Sequence, residues 1–180
     1  MLKVNFYLGR FLFYSEISEY GIRSLHISRI LKRISDFVIK NLSGENNDIK
    51  TNYLNTLTNE ISEYLAGNKA IIEIDTDFEG YTEKEIAIYR ALMNVPAGYV
   101  TTYSALAKYV LGKNANRYTG AVLSRNRLQI IVPCHRVVMK NLRIGGFTSH
   151  LGLRLKILLL QSEGITVNNN KLEGLKLYNF

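Results

Sequence analysis

The residues best suited to chemistry sit together in residues 130–138, which read IIVPCHRVV. Cys134 is the chain's single cysteine, and His135 and Arg136 follow it at once. A lone cysteine forms no intrachain disulfide and no cysteine-cluster metal site. The thiolate is the nucleophilic form of cysteine, and neighbouring cations favour it. A buried, inert thiol is the ordinary fate of a free cysteine, but this one lies far in sequence from any acid. Pro133 restricts the local backbone. Adjacent side chains usually diverge, so His135 meets the thiol only if a tight turn folds the two together, directly or through water. His26, His135 and His150 are too scattered to suggest zinc on their own.

Charge sharpens this setting. Residues 1–85 hold 10 Lys/Arg against 13 Asp/Glu, residues 86–162 hold 11 Lys/Arg and no acid, and residues 163–180 hold two of each. The formal charge of +8 therefore resides in the stretch around the cysteine. A field of one sign concentrated in this way attracts a polyanion, of which nucleic acid is the commonest. An ordinary basic surface is the plainer alternative. With 180 residues, 47% hydrophobic and 21% charged, the chain suits one compact unit or two small lobes with a real core. It is too apolar for disorder. No apolar run reaches the length of a bilayer crossing, and MLKVNFYLGR lacks the unbroken apolar stretch of a secretory signal. The cysteine usage suits the reducing interior of a cell, and a cytoplasmic location is expected.

The elements that must position these residues fall into two lobes. Residues 2–27 alternate loosely (Val4, Phe6, Leu8, then Phe11, Phe13) with breaks at Gly9 and Gly21, which predicts two or three antiparallel strands. Ile49, Tyr53, Leu57, Ile61, Tyr64 and Leu65 share one face of a helix over 48–66, ended by Gly67-Asn68. Residues 70–75, AIIEID, read as a buried strand. The polar link 76–81 separates an N-terminal α/β structural lobe, 1–77, from a C-terminal lobe, 78–180. The second lobe opens on a capping box from Thr82 to Glu85. Ile86, Tyr89, Leu92 and Met93 then make an amphipathic helix ending before Pro96. Thr101 or Thr102 caps a helix through Val110, Gly112 and Asn114 turn the chain, and another helix covers 115–124. Two short helices joined in this way form a helix-turn-helix. Residues 168–170, all Asn, read as a loose C-terminus. The expected class is α/β (α+β): a small mixed strand/helix lobe and a mostly helical lobe with a winged-helix-like helix-turn-helix.

Pro133-Cys134-His135-Arg136-Val137 resembles the active-site signature of the O6-alkylguanine-DNA alkyltransferases. Further residues agree with that family in order and spacing. Tyr103 lies in the first helix of the helix-turn-helix, as the family's active-site tyrosine does. Arg117 stands at the place of its arginine finger, Gly120 at a small-residue position, and Asn126 before the cysteine loop. Glu163-Gly164 closes the helix after the active site. The resemblance covers 82–164 strongly and 1–77 only in layout. Where the family usually carries Gly-Asn-Tyr-Ser, this chain has Gly145-Gly146-Phe147-Thr148, and Ser149-His150 looks like a small insertion. These departures leave pocket shape and substrate breadth open. The zinc ligands of some relatives are absent.

The resemblance implies direct, irreversible, single-turnover transfer of an alkyl group from O6-alkylguanine, and O4-alkylthymine, in DNA to Cys134, with no metal or other cofactor. Sulfur suits displacement at a saturated carbon once it is ionised. By resemblance the catalytic set is Cys134, His135, Glu163, Asn126 and Tyr103. His135 takes the thiol proton through a bridging water and Glu163 orients the imidazole. Asn126 holds the cysteine loop, and Tyr103 donates to the departing guanine. A helix C-cap is the plainer role for Asn126, and a half-buried core tyrosine for Tyr103. Val137, Phe147 and Thr148 are expected at the base pocket, with amides near Val137 and Thr148 completing it. A stacked base must first leave the duplex. The second helix would then enter the minor groove, with Gly120 and Ala121 keeping one face narrow and Arg117 filling the gap, or only touching a phosphate. Tyr118 would contact a phosphate or wedge the strand. Arg125 and Arg136, with Lys108, Arg127 and Lys140, are expected to bind the DNA backbone or to be merely solvated charges. The implied partner is double-stranded DNA containing O6-alkylguanine, not a membrane. A monomer is expected in solution, with several copies able to share one DNA. Three rivals stand beside this reading. A non-catalytic alkylated-DNA-binding protein would replace the cysteine, which is present here. A helix-turn-helix regulator would dimerise and carry base-reading polar residues. A cysteine hydrolase would draw Cys and His from separate parts of the chain and turn over.

Overall fold

The structure is a computed structural model that describes residues 1–44 and 47–180, and side chains outside 32–42. It divides into two compact units, Met1–Gly80 with Arg127–Ile131, and Tyr81–Asn126 with Val132–Phe180. The division thus falls three residues beyond the expected 77/78 boundary, and five residues of the expected second lobe return to the first.

In the first unit, β1 (Leu2–Ile17) and β2 (Ile22–Gly44) form one long antiparallel hairpin. The alternation of apolar residues slips phase midway: Leu2, Val4, Phe6 and Leu8 are buried, then Phe11, Phe13 and Ile17. The sequence suggests a strand break there. Gly9 instead takes φ +58 within register shifts against β2. A bulge thus absorbs the slip, and the strand continues with its apolar face inward. Helix α1 (Asp48–Leu65) is capped by the Asn47 side chain. Its buried face runs through Leu54, Leu57, Ile61 and Tyr64, whereas Ile49, expected inward, is 51% exposed. Residues 70–75 do not make the expected strand. The Glu73 amide donates to the Glu60 carboxylate at 2.8 Å instead of to a neighbouring strand, and pairing is confined to a single bridge from Thr76 to Ile22. Residues 127–131 run beside β2, with Leu25 N donating to Arg127 O and Gln129 N to Leu25 O.

The second unit begins with α2 (Glu83–Met93), whose capping box of Thr82 and Glu85 forms as expected. Strand β3 (Tyr99–Thr102) leads directly into α3 (Tyr103–Leu111), and the Thr102 hydroxyl caps that helix. Gly112, at φ +68, closes α3 in the left-handed conformation that glycine tolerates best. After this turn α4 (Asn116–Ser124) completes the helix-turn-helix. β3 is the central strand of a three-stranded sheet. It pairs in parallel with β4 (Val137–Val138) on one side and with β7 (Lys176–Leu177) on the other. Helix α5 (Gly152–Ser162) belongs to the same unit, and Val100, Val138, Ile144, Leu160, Ile165 and Leu172 form a core there. The Asn run is not loose. Asn169 and Asn170, at φ 46 and 65, make the turn of a hairpin between β5 (Thr166–Asn168) and β6 (Lys171–Glu173). Asn tolerates this conformation better than other side-chain-bearing residues, so a run that looks disordered by composition is a turn signal.

Candidate active site

A single 3₁₀ turn, Cys134–Arg136, follows Pro133 and leads into β4. All three residues are buried. The Asn126 side-chain amide donates to Val132 O at 2.9 Å and to Cys134 Sγ at 3.2 Å. Asn126 is therefore not the C-cap of α4, a position held by Arg125. Burial pushes the Cys134 thiol above its ordinary value. The Asn126 amide, the charge of Lys156 and the amides of Cys134 and His135 pull against that rise.

One residue on in the turn, His135 Nε2 lies 2.8 Å from Glu163 Oε1. The same oxygen accepts from Arg136 Nε at 2.9 Å and Nη2 at 2.7 Å, while Nη1 donates to Val95 O. Burial alone would raise the Glu163 carboxyl, but His135 and Arg136 outweigh it and hold it at about 2. An ionised carboxylate only accepts, so His135 Nε2 carries the proton and Nδ1 keeps a free lone pair. Among the described residues Nδ1 has no hydrogen-bond partner. Burial also lowers the imidazole's own affinity for a second proton, against the pull of Glu163. The ring is thus a neutral base near pH 7.

Cys134 opens on a cavity of about 160 Å³ lined also by Tyr103, Gly120, Leu123, Ser124, Phe147 and Thr148. A wider recess of about 490 Å³ shares Tyr103, Gly120 and Gly146 with it and adds Arg117, Met139 and Lys140. A Cβ on Gly120 would stand 3.9 Å from the Tyr103 ring, so the missing side chain keeps the space beside the phenol open. Burial, then the nearness of Cys134, raises the Tyr103 hydroxyl above its ordinary value, which keeps it a proton-bearing donor. The far end of α4 is held by two tyrosines. Tyr89 donates to Val122 O at 2.7 Å, and Tyr81 to Arg125 O at 2.9 Å.

The family model for the DNA-binding domain of 6-O-methylguanine DNA methyltransferase matches residues 83–165. The methylated-DNA–protein-cysteine methyltransferase of Sulfurisphaera tokodaii is 32% identical over 124 residues, covering 69% of this chain and 76% of that protein. The chain belongs to the methylated-DNA–protein-cysteine methyltransferase family. The Methanosarcina mazei member is 33% identical over 111 residues, 62% of this chain and 68% of its own. The fold agrees. The O6-methylguanine methyltransferase of Mycobacterium tuberculosis has a TM-score of 0.67 at 20% identity, over 91% of this chain and 93% of that one. The enzyme of Pyrococcus kodakaraensis has a TM-score of 0.60 at 26% identity, over 91% and 99%.

The residues expected at the site divide into three groups. Cys134, His135, Asn126 and Glu163 meet at the 3₁₀ turn, and Tyr103, Phe147 and Thr148 line the cavity with the thiol. Arg117, Tyr118 and Ala121 are exposed on α4, and Arg125 is exposed just beyond it. Two expectations need correction. Arg136 does not face a DNA backbone. It is 2% exposed and spends its guanidinium on Glu163 and Val95 O. Val137 is wholly buried, and its amide is already used, bonding to Cys134 O. Lys156 was not legible as a site residue. It is fully buried, and burial, against the pull of Cys134, brings its ammonium down to about 8. The available signal was a lysine set among leucines in LRLKILLL.

Proposed function

We propose that the chain repairs alkylated DNA by moving an alkyl group from O6 of guanine, and from O4 of thymine, onto Cys134 Sγ. The carbon–oxygen bond breaks, a carbon–sulfur bond forms, and the electron pair leaves with the base. The observation that carries this reading is the chain's single thiol opening on a cavity, with a neutral imidazole beside it in sequence whose Nδ1 has no partner among the described residues. His135 Nδ1 receives the thiol proton, and Glu163 holds the ring in the tautomer this requires. Asn126 fixes the turn and donates to the sulfur that becomes anionic. Tyr103, kept protonated, donates to the guanine that departs. Phe147 and Thr148 form the wall against the base.

A stacked guanine cannot reach a buried thiol, so the base must swing out of the duplex. Arg117 enters the gap left behind, a role supported by its exposure at the rim of the wider recess. Gly120 leaves the entrance open, and Tyr118 and Ala121 present an exposed face of α4 to the DNA. The product is a thioether, and each protein molecule acts once. The protein acts as a monomer in the cytoplasm, where reducing conditions keep a lone cysteine available as a thiol. Among the described residues no helix is long and apolar enough to cross a membrane.

Incubation with an oligonucleotide carrying O6-methylguanine, followed by mass measurement of the intact protein, tests the reading. One methylene is gained per molecule, and Cys134→Ser gains none. Turnover beyond one equivalent would instead reveal a hydrolase, and binding without mass gain a non-catalytic damage binder.

A further inference from the structure

Burying an ammonium is costly unless an anion repays it. Yet Lys156, fully buried, forms no ion pair with a carboxylate among the described residues. From α5 its Nζ donates to Val137 O at 2.7 Å and to Gly146 O at 3.5 Å, with the Phe147 ring centroid 5.9 Å away. It therefore ties β4, which continues the cysteine turn, to the 145–148 wall of the cavity. The titratable groups that feel its charge are Cys134 and His135 on the cysteine turn. The 145–148 wall and β4 offer none, and its buried neighbours on α5, Leu155, Leu159 and Leu160, are uncharged. Among the groups named above as pulling the thiol back toward ionisation, Lys156 carries a full charge, whereas the Asn126 amide and the two backbone amides are neutral.

We propose that Lys156 is a positioning residue for alkyl transfer: its ammonium is the internal counter-charge of the Cys134 thiolate, and its hydrogen bonds pin β4 to the 145–148 wall of the cavity. The inference rests on Cys134 being the alkyl acceptor, as proposed above. It carries a consequence for the spent protein. Transfer turns the sulfur anion into a neutral thioether, so Lys156 loses its counter-charge and holds its proton less tightly afterwards.

Iodoacetamide labels only the thiolate, and this chain has one cysteine, so labelling rate against pH, read by intact mass, follows Cys134 directly. Lys156→Gln keeps a donor for the carbonyls and removes the charge, whereas Lys156→Arg keeps the charge. The Gln variant should shift the labelling midpoint up by about one pH unit, a loss of about tenfold in rate below it. The Arg variant should stay close to the wild type. Coincident wild-type and Gln profiles would overturn the counter-charge. The wild-type protein supplies a second measurement that needs no folded variant. The Lys156 side-chain ¹⁵N signal is titrated before and after the thiol is blocked with methyl methanethiosulfonate. Its midpoint falls if the two groups are coupled, and an unmoved midpoint sinks the proposal. Failure of the repair reading would look different: the wild type would label with iodoacetamide but take no methyl from the O6-methylguanine oligonucleotide.

Discussion

Helix α4 and the cysteine turn both come from the stretch of 86–162 that contains no acid, yet they treat their cations in opposite ways. On α4, Arg117 is exposed and forms no ion pair with an acid among the described residues, and Tyr118 and Ala121 stand beside it in solvent. Around the turn, Arg136 and, from α5, Lys156 are both buried, and each spends hydrogen bonds on an acceptor. A surface cation acts over roughly a Debye length and is screened by salt. A buried one is screened little and sets which neighbours are protonated. A basic run in sequence is therefore not one field. Under the proposed function, one part of it meets DNA and the other manages a proton at sulfur. Glu163, the first acid after the run, makes the second part possible, because one carboxylate oxygen receives both His135 and Arg136.

The largest effect should come from removing that carboxylate. Glu163→Gln leaves the Arg136 guanidinium buried without its anion, a class of change that costs about 3–5 kcal/mol. It also frees the tautomer of His135, so the single-turnover rate should fall by about a hundredfold or more, in the range of lost general-base catalysis. Binding to undamaged duplex should hardly change. Denaturant midpoints and quenched-flow methyl transfer measure the two losses, and an unchanged rate would exclude Glu163 from support of His135. The pH dependence follows from the same pair. The folded carboxyl titrates at about 2, below its ordinary value of 4.5. Its stabilisation is thus complete above the ordinary value and lost as pH falls through 4.5 toward about 2. The Gln variant should lack this share of the acid sensitivity.

The exposed side of the comparison is sharpened at Arg117. Arg117→Ala should slow methyl transfer from duplex DNA by at least about tenfold, the scale of a few lost polar contacts. Reaction with free O6-benzylguanine, which needs no flipping, should be nearly unchanged. Equal losses on both substrates would remove Arg117 from the extrusion step and place it in the chemistry.

How much of this was legible in sequence depended on whether a residue's partner was local. The Thr82–Glu85 box, the Thr102 cap and the Gly112 turn are spelled out within a few residues, and all three form. Cys134 stands out in sequence as the one thiol, whereas His135, Asn126 and Glu163 join it as a set only through the family resemblance. Arg136 was misread because its partners, Glu163 and Val95, lie 27 and 41 residues away, so nothing local distinguishes it from a surface arginine. Lys156 was missed for the same reason: its acceptor Val137 O is 19 residues back. By composition, Gly9 signals a break and the Asn run a loose end. Their positive φ values make a bulge and a tight turn instead, and composition alone does not separate these outcomes.

The smallest effect tests where the border between the two regions falls. Arg125 follows α4 and is exposed like Arg117, but its guanidinium is ion-paired with the largely buried Glu85 carboxylate, and its carbonyl is held by Tyr81. Glu85 keeps its bonds from Thr82 N and Oγ1 at 2.9 Å when the arginine is gone, so no buried charge is stranded. Arg125→Ala should therefore leave the denaturant midpoint almost unchanged, as the loss of an ion pair with an exposed arginine does. The decisive reading is the salt dependence of duplex binding. A cation that neutralises a phosphate contributes about one unit to the slope of log affinity against log salt. Arg117→Ala should reduce that slope by about one such unit, whereas Arg125→Ala should leave it in place, because Glu85 already neutralises that guanidinium. A matching fall in both variants would move Arg125 onto the DNA face and break the division between exposed and internally paired cations at the end of α4.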